Sequence, residues 1–176
     1  MSGEGGVNDR ETADPDGIAV EPATAADRLD VLRVLDAAML ETDADRVDDR
    51  IDAGDVLVAR FIRTGAVVGA LVATRPEPGR LHVDAVAVRR ARRGRGIGSA
   101  LVAAAAGRAE RDDAVDAVTA AFDPKLRGFY TDLGFVVDGD GRSDDGVEPR
   151  TDGVRGRRPA GASAGDGDPE SGERRR

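Results

Sequence analysis

Glycine set into a strand-to-helix corner and ringed by arginine is the feature that most restricts this chain. The segment Arg93-Gly94-Arg95-Gly96-Ile97-Gly98-Ser99-Ala100-Leu101 lies between an apolar run, Leu81 to Val88, and an alanine-rich run, Ala100 to Ala106. That order reads as strand, tight turn, helix. The first N–H groups of a helix have no carbonyl partner inside it, and the macrodipole adds partial positive charge there. Glycine lets an anion reach those donors with no Cβ in the way, and arginine brings forked donors matched to phosphate oxygens. The corner therefore predicts a phosphate site, with N–H groups of Arg95, Gly96, Gly98 and Ser99 as the clamp. Arg89, Arg90 and Arg92 extend the basic patch, and each reads equally well as part of a solvated turn.

Around that corner the elements alternate. Ile18 to Val20 reads as a first strand, and Leu29, Leu32, Val34, Leu35 and Met39 recur at helical spacing behind the N-cap candidate Thr24. A helix is predicted over Ala25 to Leu40, with a shorter one over Asp45 to Ala53. Val56 to Ile62 and Val67 to Ala73 form a hairpin about Thr64-Gly65. After the strand Leu81 to Val88 and a helix from about Gly98 to Arg111, Val115 to Phe122 returns as a strand. Asp123 caps the next helix, Pro124 suits its first position and Gly134 its stop. Phe135 to Val137 is a short last strand. The predicted fold class is α/β (α+β), with a mixed, mostly antiparallel central sheet flanked by about four helices.

Residues 1–16 are predicted to be disordered, 17–138 to form one domain, and 139–176 to be a low-complexity, disordered tail too poor in large apolar residues to offset its ordering entropy. The first residues lack the apolar core of a signal peptide, and no run reaches the roughly 20 apolar residues of a membrane span, so a cytoplasmic protein with no membrane partner is expected. Without cysteine and with one histidine, neither disulfides nor a zinc site of His and Cys ligands is available, and no metal is expected. Acidic residues outnumber basic ones, 34 to 26, for a net charge of −8. Such an acidic chain, poor in aromatics, argues against nucleic acid as the main partner. Its Asp- and Arg-rich, Lys-poor character fits either an acidic, salt-adapted proteome or a GC-rich genome.

Arg93, Gly96 and Gly98 match the cofactor signature of the GNAT superfamily of N-acetyltransferases, and they follow Val86-Ala87-Val88, which matches its preceding strand. Phe129-Tyr130 ahead of Gly134-Phe135 matches a second signature, and Ala23 to Asp27 is similar to the family's opening. From Ile18 to Val137 the chain resembles that family. The resemblance implies acetyl-CoA as cosubstrate and direct attack by an amine on the thioester. The diphosphate would lie on Arg93, Gly94, Arg95, Gly96, Ile97, Gly98 and Ser99, the pantetheine arm along the backbone of Val86, Ala87 and Val88 and near Asp123. Tyr130, the one tyrosine, falls where the family places its general acid. The acceptor would be a small amine or a peptide N-terminus, and a homodimer stays open. Two features depart from the family: Asp123 stands where members often carry Asn, and Arg142 to Arg158 offers only Val147 and Val154 as branched apolar residues, so the family's seventh strand is expected to be weak or missing.

The amine must lose a proton, because a primary amine with a pKa near 10 is mostly cationic at neutral pH. His82 and Asp84, which strict alternation places on one face with Val86 and Val88, are the candidate bases, and water is a third route. Two other classes compete. A dinucleotide-binding turn is suggested by Gly94-x-Gly96 with Asp116 about 20 residues on. A non-catalytic acyl-CoA sensor is suggested by the abbreviated C-terminus.

Overall fold

A computed structural model describes residues 17–38, 40, 43–137 and 154–159. Its strands are β1 (Ile18–Pro22), β2 (Val56–Phe61), β3 (Val67–Thr74), β4 (Gly79–Val88), β5 (Val115–Phe122), β6 (Val136–Val137) and β7 (Val154–Pro159). Its helices are α1 (Arg28–Ala37), α2 (Ala44–Asp52), α3 (Ile97–Glu110) and α4 (Arg127–Asp132). One sheet takes the order β1-β2-β3-β4-β5-β7-β6. All neighbours are antiparallel except β4 and β5. Parallel neighbours need a crossover, and α3 supplies it. This is the mixed, mostly antiparallel α/β architecture expected.

Both faces of the sheet are covered, which is why β2 and β3 read as unbroken apolar runs rather than alternating ones. On one face Leu71, Leu81 and Val118 pack with Leu101 and Val102 of α3 and with Tyr130 of α4. On the other, Val31, Val34 and Leu35 of α1 and Val47 of α2 cover Val58 and Val72. The alanines of α3 let it lie close to the sheet, and Gly69 on β3 completes the fit. A Cβ there would come within 3.1 Å of Ile97 and Leu101 side-chain carbons.

The first helix begins as a 3-10 turn, Ala25–Asp27, before α1. Asp27 sets this start: its carboxylate accepts from the Thr24 N–H at 2.9 Å and from Arg60 Nη2 at 2.6 Å. Arg60 also donates to Glu21 at 2.7 Å and to the Gly65 carbonyl at 2.8 Å. This clasp joins β1, the first helical turn and the β2–β3 hairpin. Burial alone would raise the Asp27 pKa, but the bonds from Arg60 and Thr24 outweigh it and hold the carboxyl below its usual value.

The seventh strand corrects the sequence reading. β7 pairs with β5 along six residues, from Ala117↔Pro159 to Phe122↔Val154, and with β6 at Val136↔Arg157. The fold thus reaches residue 159, past the expected end at 138. A strand flanked on both edges takes its stability from ladder bonds and neighbours, so sparse apolar residues did not prevent it. Arg158 then reaches Glu110 at the end of α3, 3.1 Å away. The rest of the expected tail and residues 1–16 lie outside the described residues.

Candidate functional site

The β4–β5 ladder runs from Gly79↔Val115 to Val83↔Ala120 and stops there. Yet β4 continues to Val88 and β5 to Phe122. Residues 85–88 keep partners on β3, and β5 turns its pairing to β7. The two parallel strands therefore part like a fork. The β4 edge over residues 84–88 faces the gap with no ladder neighbour among the described residues, an arrangement that can pair with an extended ligand.

A bulge at the base of the fork changes which way its residues point. Ala73 pairs with Val83 but the adjacent Val72 pairs with Ala85, so Asp84 is the extra residue. Leu81 and Val83 belong to the α3-side core, and beyond the bulge Val86 and Val88 pack against that same core. Ala85 and Ala87 join the α1 side. The expectation that His82, Asp84, Val86 and Val88 share a face is thus corrected: one inserted residue shifts the parity, and His82 projects from the face opposite Val86 and Val88. There its Nδ1 lies 2.9 Å from Thr119 Oγ1 on β5. Asp84 is exposed.

The corner after β4 brings backbone donors, open space and positive charge together. Gly94 and Gly96 take φ of +75° and +78°, and a Cβ on either would meet nothing within 4 Å. Only glycine adopts this conformation freely, and the space above both is open. Gly96 is the N-cap of α3, and no side chain among the described residues caps the helix. Ala100 is the first residue whose N–H is taken up, by the Gly96 carbonyl at 2.9 Å. The N–H groups of Arg95 to Ser99 find no backbone acceptor among the described residues. Ile97 is buried and anchors the turn. At Gly98 an added Cβ would touch Phe129 at 3.7 Å and Val88 at 3.9 Å, so both signature segments meet at the helix start.

The arginines divide into held and unheld. Arg89 donates from Nε to the Val67 carbonyl at 2.8 Å, and the Arg92 guanidinium lies 4.4 Å over the Phe61 ring. These two contacts turn Arg89 and Arg92 toward the scaffold, and no such contact holds Arg90 among the described residues. Arg93 donates from Nε to the Val88 carbonyl at 3.1 Å. Among the described residues, none of the arginines from 89 to 95 pairs with a carboxylate. In an acidic chain that leaves concentrated, uncompensated positive charge.

Across the fork, Tyr130 is 5% exposed and stacks on Phe122 at 3.9 Å, with Phe129 and Phe135 edge-on at 5.0 and 5.3 Å. Burial raises its pKa, so the phenol stays protonated well beyond neutral pH. No hydrogen bond reaches its hydroxyl among the described residues. The predicted helix here opens as a 3-10 turn, Pro124–Leu126, and Asp123 Oδ1 caps it by accepting from the Lys125 N–H at 2.9 Å. Gly134 closes α4 at φ +83°.

Sequence reasoning missed the fork, Phe61 and Thr119. A lone threonine in an apolar strand carries no local signal, and only the register beside His82 singles it out. The dinucleotide reading fails on geometry. Asp116, the second residue of β5, lies beside Gly79, roughly 30 Å of strand away from the glycine turn, too far to reach a ribose there. Among the described residues no group of three or more His, Asp or Glu side chains could hold a metal, and no helix is long and apolar enough to cross a membrane.

The family model described as acetyltransferase (GNAT) domain matches residues 23–149. No curated protein matches the chain. Among solved structures, Ard1 from Thermoplasma volcanium is similar with a TM-score of 0.64 and 20% identity, over 82% of this chain and 98% of that one. Rv2747 from Mycobacterium tuberculosis, in complex with CoA and NLQ, gives 0.62 and 22% over 71% and 75%. An agmatine N-acetyltransferase variant in its apo form gives 0.63 and 16% over 82% and 100%. At such identities the likeness is one of fold.

Proposed function

Since the chain belongs to the GNAT acetyltransferase family, we propose that it is an acetyl-CoA-dependent N-acetyltransferase, moving the acetyl group to a primary amine by direct attack in a ternary complex. The observation that carries this is the fork, placed beside a helix start whose N–H groups have no backbone acceptor and whose arginines have no carboxylate partner among the described residues. The residues fit the coenzyme. The N–H groups of Arg95 to Ser99, with the side chains of Arg90, Arg93 and Arg95, hold the diphosphate. The open edge of β4 at Val86, Ala87 and Val88 takes the amide-bearing pantetheine arm as a strand would be taken, and a backbone N–H near Val86 meets the thioester carbonyl.

The chemistry then needs two proton transfers. Tyr130, kept neutral by burial, donates to the departing thiolate. The base is His82 or Asp84, at the foot of the fork, or the proton leaves through water. A backbone donor at the thioester oxygen stabilises the charge of the tetrahedral state. One fold neighbour is named for agmatine, and a cationic small amine or a peptide N-terminus is the acceptor class proposed here. The composition agrees with a cytoplasmic setting. The sensor alternative rested on an abbreviated C-terminus, and with β7 in the sheet that support is gone.

Titration calorimetry with CoA, repeated at several salt concentrations, tests the binding half. Binding that weakens with salt is expected, and no heat at any salt defeats the reading. Thiol release over a panel of amines, polyamines, amino acids and peptides tests the transfer half. Tight coenzyme binding with no turnover on any amine would restore the sensor.

A further inference from the structure

The closed end of the fork limits how far a chain laid along β4 can extend. Arg89 donates its N–H to the Val68 carbonyl at 2.8 Å. Along an antiparallel strand every second residue bonds the same neighbour, so Ala87 also faces β3, while Val86 and Val88 turn their N–H and C=O groups to the gap. On the acetyl-transfer reading the diphosphate lies at the corner beyond Val88, and the thioester lies at Val86. The acyl group is the far end of the coenzyme. It therefore points on down the strand, toward Val83↔Ala120, where β4 and β5 rejoin.

The bulge makes that stretch short. Val86 pairs with Leu71 and Val83 with Ala73, so three steps of β4 span only two of β3, about 6.6 Å. Carbon atoms in contact stay about 3.5–4.0 Å apart, which leaves about 3 Å for acyl carbons beyond the carbonyl. A carbon–carbon bond of about 1.5 Å advances an extended chain by about 1.3 Å. One or two further carbons fit, and a third meets the closed ladder. Without the extra residue the same three steps would span about 10 Å and admit two more carbons. A sideways turn is blocked on the α3 side, where Val83, Val86, Ala120, Phe122 and Tyr130 pack in one core. The other side, beside the half-buried Ala85, has to admit the amine.

We infer that the foot of the fork gauges acyl length: the protein uses acetyl-CoA and propionyl-CoA and rejects butyryl-CoA and longer thioesters. The inference rests on the acetyl-transfer reading and adds to it the class of acyl donor and the element that selects it. The bond changes are the same for both donors. The amine nitrogen bonds to the acyl carbon, the carbon–sulfur bond breaks, the surplus amine proton leaves to the base or water, and the thiolate takes the phenolic proton of Tyr130.

Rates with acetyl-, propionyl-, butyryl- and hexanoyl-CoA, measured on two accepted amines of different size, read the gauge. Propionyl-CoA should stay within about threefold of acetyl-CoA in kcat/KM, and butyryl-CoA should fall about 100-fold below it. The break should come at the same carbon with both amines, because the foot lies on the coenzyme's path and not the acceptor's. Titration calorimetry without amine should show the same step, with butyryl-CoA bound about tenfold more weakly than propionyl-CoA. Butyryl-CoA used as well as acetyl-CoA, propionyl-CoA rejected, or a break that moves with the amine overturns the inference while leaving acetyl transfer intact. Absence of turnover with every thioester and every amine removes both.

Discussion

Two groups of arginines in this protein are treated in opposite ways. Arg60 is surrounded: Asp27, Glu21 and the Gly65 carbonyl each accept one of its bonds. Arg90 and Arg95 stand at the glycine corner with no such partner among the described residues, in a chain whose acidic residues outnumber its basic ones. Pairing in such a chain is easy to arrange, so its absence at one corner is informative. The clasp spends its charge on joining three elements, whereas the corner keeps its charge and its N–H groups available. On the function proposed above, one serves stability and the other binding, and substitutions should separate them cleanly.

The widest separation is expected from Tyr130→Phe, which keeps the ring stack on Phe122 and removes the proton donor. kcat should fall about 100-fold, equivalent to about 2.7 kcal/mol of transition-state stabilisation, with CoA affinity and melting temperature nearly unchanged. An equal kcat would take Tyr130 out of the chemistry. On the other side of the comparison, Asp27→Ala leaves Arg60 half-paired beneath the hairpin. Urea unfolding should show a loss of about 2 kcal/mol, with the KM for acetyl-CoA unmoved. The same clasp should fail in acid. Because the folded Asp27 pKa lies below its unfolded value near 4, its contribution is complete above pH 4 and is lost as pH falls through the folded pKa. Asp27→Ala should flatten that acid limb in a pH series of melts.

Smaller effects sharpen the corner itself. Gly96→Ala forces a Cβ into the left-handed region at a cost of about 1 kcal/mol and places a methyl group over the donor row. CoA should bind about tenfold more weakly by calorimetry. Arg95→Ala should weaken it about fivefold at low salt and less at high salt, whereas Arg92→Ala, whose guanidinium is directed to Phe61, should not change it. Equal losses for Arg95 and Arg92 would erase the distinction between held and unheld arginines.

The legible parts of this site were those with local causes. Left-handed glycines, a helix start and clustered arginine are written within nine residues, and the strand-to-helix corner appeared where the sequence placed it. Asp123, Pro124 and Gly134 marked the next helical segment for the same reason. What stayed hidden depends on pairing between distant strands. Asp84 fits an alternating pattern perfectly well, and only the step from Val72↔Ala85 to Ala73↔Val83 shows it as a bulge that sends His82 the other way. β7 was unreadable because β5 and β6, rather than its own side chains, make it a strand.

That last strand also shapes how the molecule must be assembled. β7 follows β6 in the chain but slides between β6 and β5, so until residue 159 has arrived β5 presents one bare edge. Bare edges recruit strands from other chains. A shortened polypeptide ending near 138 should therefore be prone to intermolecular pairing, and it should regain solubility when a peptide spanning 150–160 is supplied to fill the vacant slot.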